Sequence, residues 1–149
     1  MMLRRGAAIV ALLAFAVLGL RLAPAEPIDP GSLRVLDGDT VVAAGITYRL
    51  VGFDAPEEGT RAKCAGEAAL AARATSRLRA IVAAGGLDLA RIACACRPAT
   101  EGTPFCNFGR LCAVLRSDGQ DVAGIMIREG LAHPLACGPT RCPRREPWC

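Results

Sequence analysis

Residues 32–53 read SLRVLDGDTVVAAGITYRLVGF and divide into three short strands, at about 32–37, 39–44 and 46–53. The dipeptides Asp37-Gly38 and Ala44-Gly45 separate these strands. Both predict tight turns, because glycine adopts the backbone conformations that short hairpin loops require. The stretch therefore predicts three consecutive strands near the start of the folded domain.

The remaining elements follow from changes in the spacing of apolar residues. Helical spacing predicts helices at about 62–84 and 121–132, the first of them ended by Gly85-Gly86. Residues 87–95 and 109–116 predict a fourth and a fifth strand. This order predicts a β-rich α+β fold: a five-stranded OB-fold barrel with a helix between strands 3 and 4, a second C-terminal helix and a disulfide-held tail. Such barrels bind oligonucleotides or oligosaccharides, but the fold alone does not settle function.

The 149-residue chain is predicted to comprise a signal peptide (1–25), a linker (26–31), an OB-fold domain (32–136) and a Cys/Pro/Arg-rich tail (137–149). The first segment has a basic start, an uncharged apolar run from Gly6 to Leu20, and small residues before the expected cleavage. An uncleaved membrane anchor is the alternative, but a spanning helix needs about 20 apolar residues. We therefore expect a secreted or periplasmic protein whose mature form has no membrane segment.

The formal charge of +4 gives no support for nucleic-acid binding. Residues 1–25 contain three of the 18 basic residues and no acidic residue, which leaves 15 basic and 14 acidic residues. Any attraction for phosphate must therefore come from the local placement of arginines. The tail arginines Arg141, Arg144 and Arg145 are expected to be solvated.

All eight cysteines follow residue 25, and an even number in a short exported chain predicts disulfides. Cys94 and Cys96 are too close in sequence to pair easily with each other, so each is expected to have a distant partner. A zinc site is the alternative. It would have to use four cysteines, because Cys94 and Cys96 lack the usual two-residue spacer and His133 is the only histidine.

Acidic residues gather in and before YRLVGFDAPEEG, residues 48–59. Asp39 begins the second strand, and Asp54 and Glu57 follow the third, so the three carboxylates are predicted to meet. Each pair about 5 Å apart would cost on the order of 3 kcal/mol at an effective dielectric of 20. A divalent cation removes that repulsion, and oxygen ligands favour Ca²⁺ or Mg²⁺ over zinc. The alternative is that these acids are solvated and never converge; Glu58 is expected to be solvated in either case.

Arg49 lies inside an apolar strand, where a guanidinium must find an anion. Strict alternation places Arg49 and Asp54, five residues apart, on opposite faces of a strand. A bulge at Gly52 would bring them together.

Four segments together resemble the thermonuclease (staphylococcal nuclease-like) family, in the same order and with similar spacing. They are VLDGDTV (35–41), YRLVGFDAPE (48–57), FGR (108–110) and SDGQDVAGIMIREGLA (117–132). The resemblance implies an OB-fold domain that hydrolyses phosphodiester bonds in DNA and RNA with calcium and leaves a 3′-phosphate. It implies Ca²⁺, with Mg²⁺ less favoured, held by Asp39, Asp54 and the backbone carbonyl of Ala55.

The resemblance also implies the catalytic residues. Glu57 would orient or deprotonate the attacking water, and Arg49 and Arg110 would hold the phosphate. Two regions depart from the family. Residues 106–110 read Cys-Asn-Phe-Gly-Arg where the family has Asp-x-Tyr-Gly-Arg, and residues 133–140 lack the family's nucleotide-binding tyrosines.

These features predict an exported, metal-dependent nuclease that acts as a monomer on DNA or RNA. The alternative is a non-catalytic OB-fold module that binds an oligonucleotide, a glycan or a protein in the cell envelope. The altered loop and the missing tyrosines favour the module, whereas Glu57 favours the enzyme because binding alone does not need it. A zinc-stabilised interaction protein is a third hypothesis and requires free thiols.

Overall fold

The computed structural model of the protein describes residues 29–149. This part of the chain forms a β-rich α+β fold in which a curled sheet makes a half-barrel and two helices pack on it. The strands are β1 Leu33–Asp37, β2 Thr40–Ala43, β3 Ile46–Leu50, β4 Gly52–Asp54, β5 Leu87–Ile92, β6 Leu111–Ser117, β7 Gln120–Asp121 and β8 His133–Leu135. The helices are α1 Ala65–Ala84 and α2 Val122–Arg128.

The main sheet has the strand order β1-β2-β3-β6-β5. β3 and β6 run parallel, and the other neighbours in this order run antiparallel. β7 pairs with β6, and β4 pairs with β8 in a separate two-stranded sheet. The predicted order of five strands, with a helix between the third and the fourth, is confirmed. Within residues 29–149, β1 and β5 form no ladder with each other, so the sheet is an open half-barrel.

The predicted third strand, 46–53, is broken at Val51. β3 ends at Leu50 and β4 begins at Gly52, whose φ is 91°. Glycine adopts this left-handed region without steric cost, so Gly52 can redirect the chain out of the main sheet. Three other elements are shorter in the structure than predicted. The strand predicted at 87–95 ends at Ile92, and the helices predicted at 62–84 and 121–132 span Ala65–Ala84 and Val122–Arg128.

The core lies between the sheet and the two helices. Ala74, Leu78, Ile81 and Val82 of α1 are buried, as their helical spacing predicts. Each fully buried aliphatic side chain contributes roughly 1.5–3 kcal/mol relative to an exposed one. On α2, the side chain of the N-cap residue Asp121 accepts a hydrogen bond from the backbone N–H of Ala123 at 2.9 Å, which satisfies one donor of the first turn.

All eight cysteines form disulfides. The pairs are Cys64–Cys149, Cys94–Cys112, Cys96–Cys106 and Cys137–Cys142. The prediction that Cys94 and Cys96 have separate partners is confirmed, and no free thiolate remains in residues 29–149 for the alternative zinc site. Several disulfides fit an oxidising environment.

The predicted tail, 137–149, contains neither helix nor strand and is held by two of these disulfides. At the other end, the predicted signal peptide (1–25) and most of the linker (26–31) lie outside the described residues. A 3₁₀ turn at Pro30–Ser32 leads into β1. From residue 29 onward, none of the helices combines the length and the apolar character that crossing a membrane requires.

Candidate active site

The turn before Asp39 requires glycine. A Cβ on Gly38 would lie 2.8 Å from the Cβ of Ala55 and 3.1 Å from that of Ala74, so this turn packs directly on the segment after β4 and on α1. Asp39 is 4% exposed, and its Oδ2 accepts a hydrogen bond from the backbone N–H of Ala55 at 2.9 Å. The two segments predicted to hold a metal are therefore in direct contact.

Arg49 bridges Asp39 and Asp54. It lies in β3 opposite Thr40 of β2; its Nη1 contacts Oδ1 of Asp39, and its Nη2 lies 3.1 Å from Oδ1 of Asp54. Their side chains are 11%, 6% and 3% exposed, in the order Arg49, Asp39 and Asp54, so we call the three residues the buried ion triad. The redirection at Gly52 accounts for the contact between Arg49 and Asp54, which strict alternation forbids.

Glu57 lies beside the triad in a loop that α1 anchors. Its Oε2 is 3.1 Å from Nε of Arg61, and its Oε1 is 2.9 Å from Nη1 of Arg145. Its backbone N–H donates to Oε1 of Glu67 at 3.2 Å, while Oε2 of Glu67 accepts the N–H of Lys63 at 2.7 Å. Because Glu67 is in the first turn of α1 and is 3% exposed, it fixes the position of the Glu57 backbone independently of the Glu57 side chain.

Arg110 approaches Arg49 from the start of β6. Its Nε and Nη2 donate to the carbonyl and Oδ1 of Asn107 at 3.0 and 2.9 Å, and its Nη1 donates to Oγ1 of Thr40 at 3.2 Å. Burial, followed by the nearby positive charge of Arg49, lowers the pKa of Arg110. Two guanidiniums held close together in this way are a suitable site for an anion.

The altered loop before Arg110 keeps that arginine in place. Asn107 and Phe108 have positive φ values of 52° and 58°, and the loop is bound at Cys106 by its disulfide to Cys96. Phe108 is 86% exposed, and its ring centroid lies 5.7 Å from Cζ of Arg110. The departure from the family's Asp-x-Tyr-Gly-Arg sequence is therefore compatible with an ordered Arg110.

All of the predicted site residues except Asp54 line one cavity of about 630 Å³. Its lining includes Asp39, Arg49, Ala55, Glu57, Arg110 and Arg145. Asp54 is not part of that lining. Its Oδ1 contacts Arg49 and also Nε of Arg145 at 3.2 Å, so two guanidiniums cover it.

Arginines connect the three acids and balance their charge. Asp39 and Asp54 share Arg49, and Asp54 and Glu57 share Arg145. A divalent cation at these acids stays a prediction. Burial nevertheless raises the pKa of Asp39 from 3.8 to about 6, because Arg49 and the N–H of Ala55 compensate only in part for lost hydration.

Asp39 should make the stability of the metal-free protein depend on pH. A carboxyl with a folded pKa of about 6 and an unfolded value of 3.8 contributes stability that is complete below 3.8 and is lost as the pH rises through 6. In chelator, the stability of Asp39→Asn relative to that of wild type should therefore rise by about 2 kcal/mol between pH 4 and pH 8, whatever the pH-independent cost of the substitution. Urea unfolding at both pH values measures this, and a difference that does not change with pH would contradict the expectation.

The donor set suits a hard cation that keeps several waters. Asp39 and Asp54 offer carboxylate oxygens and Ala55 a backbone carbonyl, which are ligands that calcium and magnesium prefer to softer ones. In the described part of the chain, no group of three or more His, Cys, Asp or Glu side chains could hold a metal. Water and backbone oxygens would therefore have to complete the coordination of a cation bound here.

Arg145 is exposed, as expected of the tail, but it also reaches the acids. The expectation that Glu58 is solvated is wrong, because Glu58 is partly buried and its Oε1 accepts a hydrogen bond from Oγ1 of Thr75 in α1. Glu67 and Asn107, the residues that hold the Glu57 backbone and Arg110, were not predicted. Glu67 stands three residues after the N-cap Cys64, a spacing typical of acidic residues that bind backbone N–H groups at a helix start.

Comparison with known proteins assigns neither a family nor a function to this chain. Neither a protein-family model nor a curated protein matches this sequence. The function is therefore inferred from the geometry of the site.

Proposed function

We propose that this protein is an exported, metal-dependent nuclease that hydrolyses phosphodiester bonds in DNA or RNA. The proposal includes an OB-type barrel of the thermonuclease kind, a monomeric state and a secreted or periplasmic location. The observation that carries it is the convergence of Arg49 and Arg110 on a cavity that Asp39 and Glu57 also line. The proposed phosphate site would thus lie beside a carboxylate that can activate water and beside oxygen ligands for a cation.

Asp39, Asp54 and the carbonyl of Ala55 would hold the cation, calcium in preference to magnesium. When bound, such an ion polarises a phosphoryl oxygen and stabilises the charge that develops on it. The hydrogen bond from the Ala55 N–H to Oδ2 of Asp39 orients the Asp39 carboxylate for this role. A fixed ligand needs little reorganisation when the ion enters.

Arg49 and Arg110 would bind the non-bridging oxygens of the scissile phosphate. A guanidinium has five N–H groups, and the contacts of each arginine within the protein use three of them. Each arginine therefore keeps two donors for a phosphate. Donors held in place before the reaction stabilise developing oxyanion charge, and each is worth about 10²–10³ in rate.

Glu57 would take a proton from the attacking water. It lines the cavity, and Glu67 fixes its backbone, so its carboxylate is held close to the phosphate site. A positioned carboxylate base contributes about 10²–10⁴ in rate. The resemblance to thermonucleases implies that the product carries a 3′-phosphate.

A non-catalytic binding module is the second candidate. Phe105 and Phe108 are 90% and 86% exposed on the loop beside Arg110, where flat rings could stack against unpaired bases. The contacts of Arg145 with Asp54 and Glu57 also favour this candidate, because they occupy the two acids in the absence of a metal.

An end-labelled single-stranded oligonucleotide distinguishes the two candidates. We expect the oxidised protein to convert the oligonucleotide to shorter products in calcium, as seen on a denaturing gel. A parallel native gel monitors complex formation. Slower migration without product would favour the binding module, and neither product nor complex would contradict both candidates.

A further inference from the structure

The last part of the tail crosses the candidate active site. We call residues 143–149 the strap. Cys149 at its end is bonded to Cys64, the N-cap of α1, and the Cys137–Cys142 disulfide closes a small loop just before it. Trp148 stacks on His133 of β8 with ring centroids 3.7 Å apart and an interplanar angle of 6°. The strap is thus held at a defined position although it contains no helix or strand.

Within the strap, Arg145 binds two carboxylates at once. Its Nε lies 3.2 Å from Oδ1 of Asp54 and its Nη1 lies 2.9 Å from Oε1 of Glu57. The Arg145 side chain is 46% exposed, whereas that of Asp54 is 3% exposed. Arg145 therefore covers Asp54 from the solvent side and can leave it without disturbing the core.

A guanidinium in this position excludes a second cation. Asp54 is one of the proposed metal ligands, and its Oδ1 already contacts Arg49 on the buried side. A divalent ion bound to the same carboxylate would lie within a few ångströms of the Arg145 charge, where like charges repel strongly. Release of Arg145 leaves Glu57 paired with Arg61 and Asp54 paired with Arg49, so neither acid loses all of its partners.

We propose that Arg145 competes with the divalent cation for Asp54, and that the Cys64–Cys149 disulfide keeps this competitor at the site. This inference rests on the proposed function, because it takes Asp54 as a ligand of the catalytic metal. A tethered group acts at a high effective concentration, which a free chain end does not reach. The strap therefore holds an inhibitory side chain, Arg145, which a cation must displace from Asp54 before it can bind.

Calcium affinity measured by isothermal titration calorimetry tests the proposal without depending on catalysis. Because Arg145 is partly exposed, its ion pairs should weaken calcium binding only moderately, and Arg145→Ala should tighten binding by about fivefold. Arg144→Ala is the matched control, since it removes the same charge from an exposed neighbouring position of the strap. It should leave the dissociation constant within about twofold of wild type, as expected for a surface charge that makes no ion pair within residues 29–149.

The double variant Cys64→Ser/Cys149→Ser tests the tether. It should tighten calcium binding to a similar extent, and adding Arg145→Ala to it should produce no further gain, because both changes remove the same competitor. Equal calcium affinity in wild type, Arg145→Ala and the double variant would overturn the proposal, even if the wild type cleaves DNA in calcium. If neither wild type nor Arg145→Ala binds calcium, the proposed metal site and this proposal fail together.

Discussion

Replacing Glu57 by glutamine should lower the rate of calcium-dependent phosphodiester cleavage by about 10²–10⁴-fold. Glutamine has the shape of glutamate but cannot accept a proton from water at neutral pH. The backbone at this position should stay in place, because the N–H of residue 57 is held by Glu67 and not by its own side chain. The side-chain ion pairs with Arg61 and Arg145 are partly exposed, so their loss should cost about 1 kcal/mol or less.

The measurement is kcat/KM on a single-stranded oligonucleotide, together with a thermal unfolding curve. Glu129→Gln is the matched control, because Glu129 is also partly exposed and paired with an arginine, Arg77, away from the cavity. The control should keep the wild-type rate. A Glu57→Gln protein that cleaves as fast as wild type would remove Glu57 from the proposed chemistry.

Replacing Arg49 by alanine should destabilise the protein by about 3–5 kcal/mol, in addition to abolishing cleavage. The change leaves Asp39 and Asp54 buried and without their shared guanidinium. The Arg49 side chain is only 11% exposed, so water cannot replace the lost contacts, and such a loss is comparable to much of the stability of a small domain.

Urea unfolding at neutral pH in chelator measures this loss. The double variant Arg49→Ala/Asp39→Asn should recover part of it, because it removes the charge of Asp39, whereas Asp54 keeps its contact with Arg145. Arg110→Ala is the control for an arginine in the same cavity. Since Arg110 contacts Asn107 and Thr40 and not the acids, its loss should affect cleavage far more than stability. An Arg49→Ala protein with wild-type stability would contradict the buried ion triad.

The charged centre could be predicted from sequence because its residues flank turns. Gly38 identifies the turn between β1 and β2, and Gly52 identifies the point where the chain leaves the main sheet; Asp39 directly follows the first and Asp54 lies two residues after the second. Alternation along a strand cannot predict the contact between Arg49 and Asp54, since it depends on the backbone angle at Gly52. The open edge between β1 and β5 also depends on the curvature of the whole sheet, which strand patterns do not encode.

Arg145 could not be predicted for a different reason. The tail has no periodic pattern, and its path depends on which cysteine pairs with Cys149. Eight cysteines allow 105 pairings, and the Cys64–Cys149 pair spans 85 residues of sequence. The electrostatic balance of the site could therefore not be predicted from the sequence either, because Arg145 supplies one of the charges that neutralise the acids.

The central claim is tested most directly by the rate at which the oxidised protein cleaves denatured DNA. The rate is measured with calcium, then with excess chelator, and then with calcium restored. We predict cleavage in calcium, its loss in chelator and its recovery when calcium is returned. Cleavage that continues at the same rate in chelator, or no cleavage in calcium by a folded protein, would contradict a metal-dependent nuclease built on these acids and arginines.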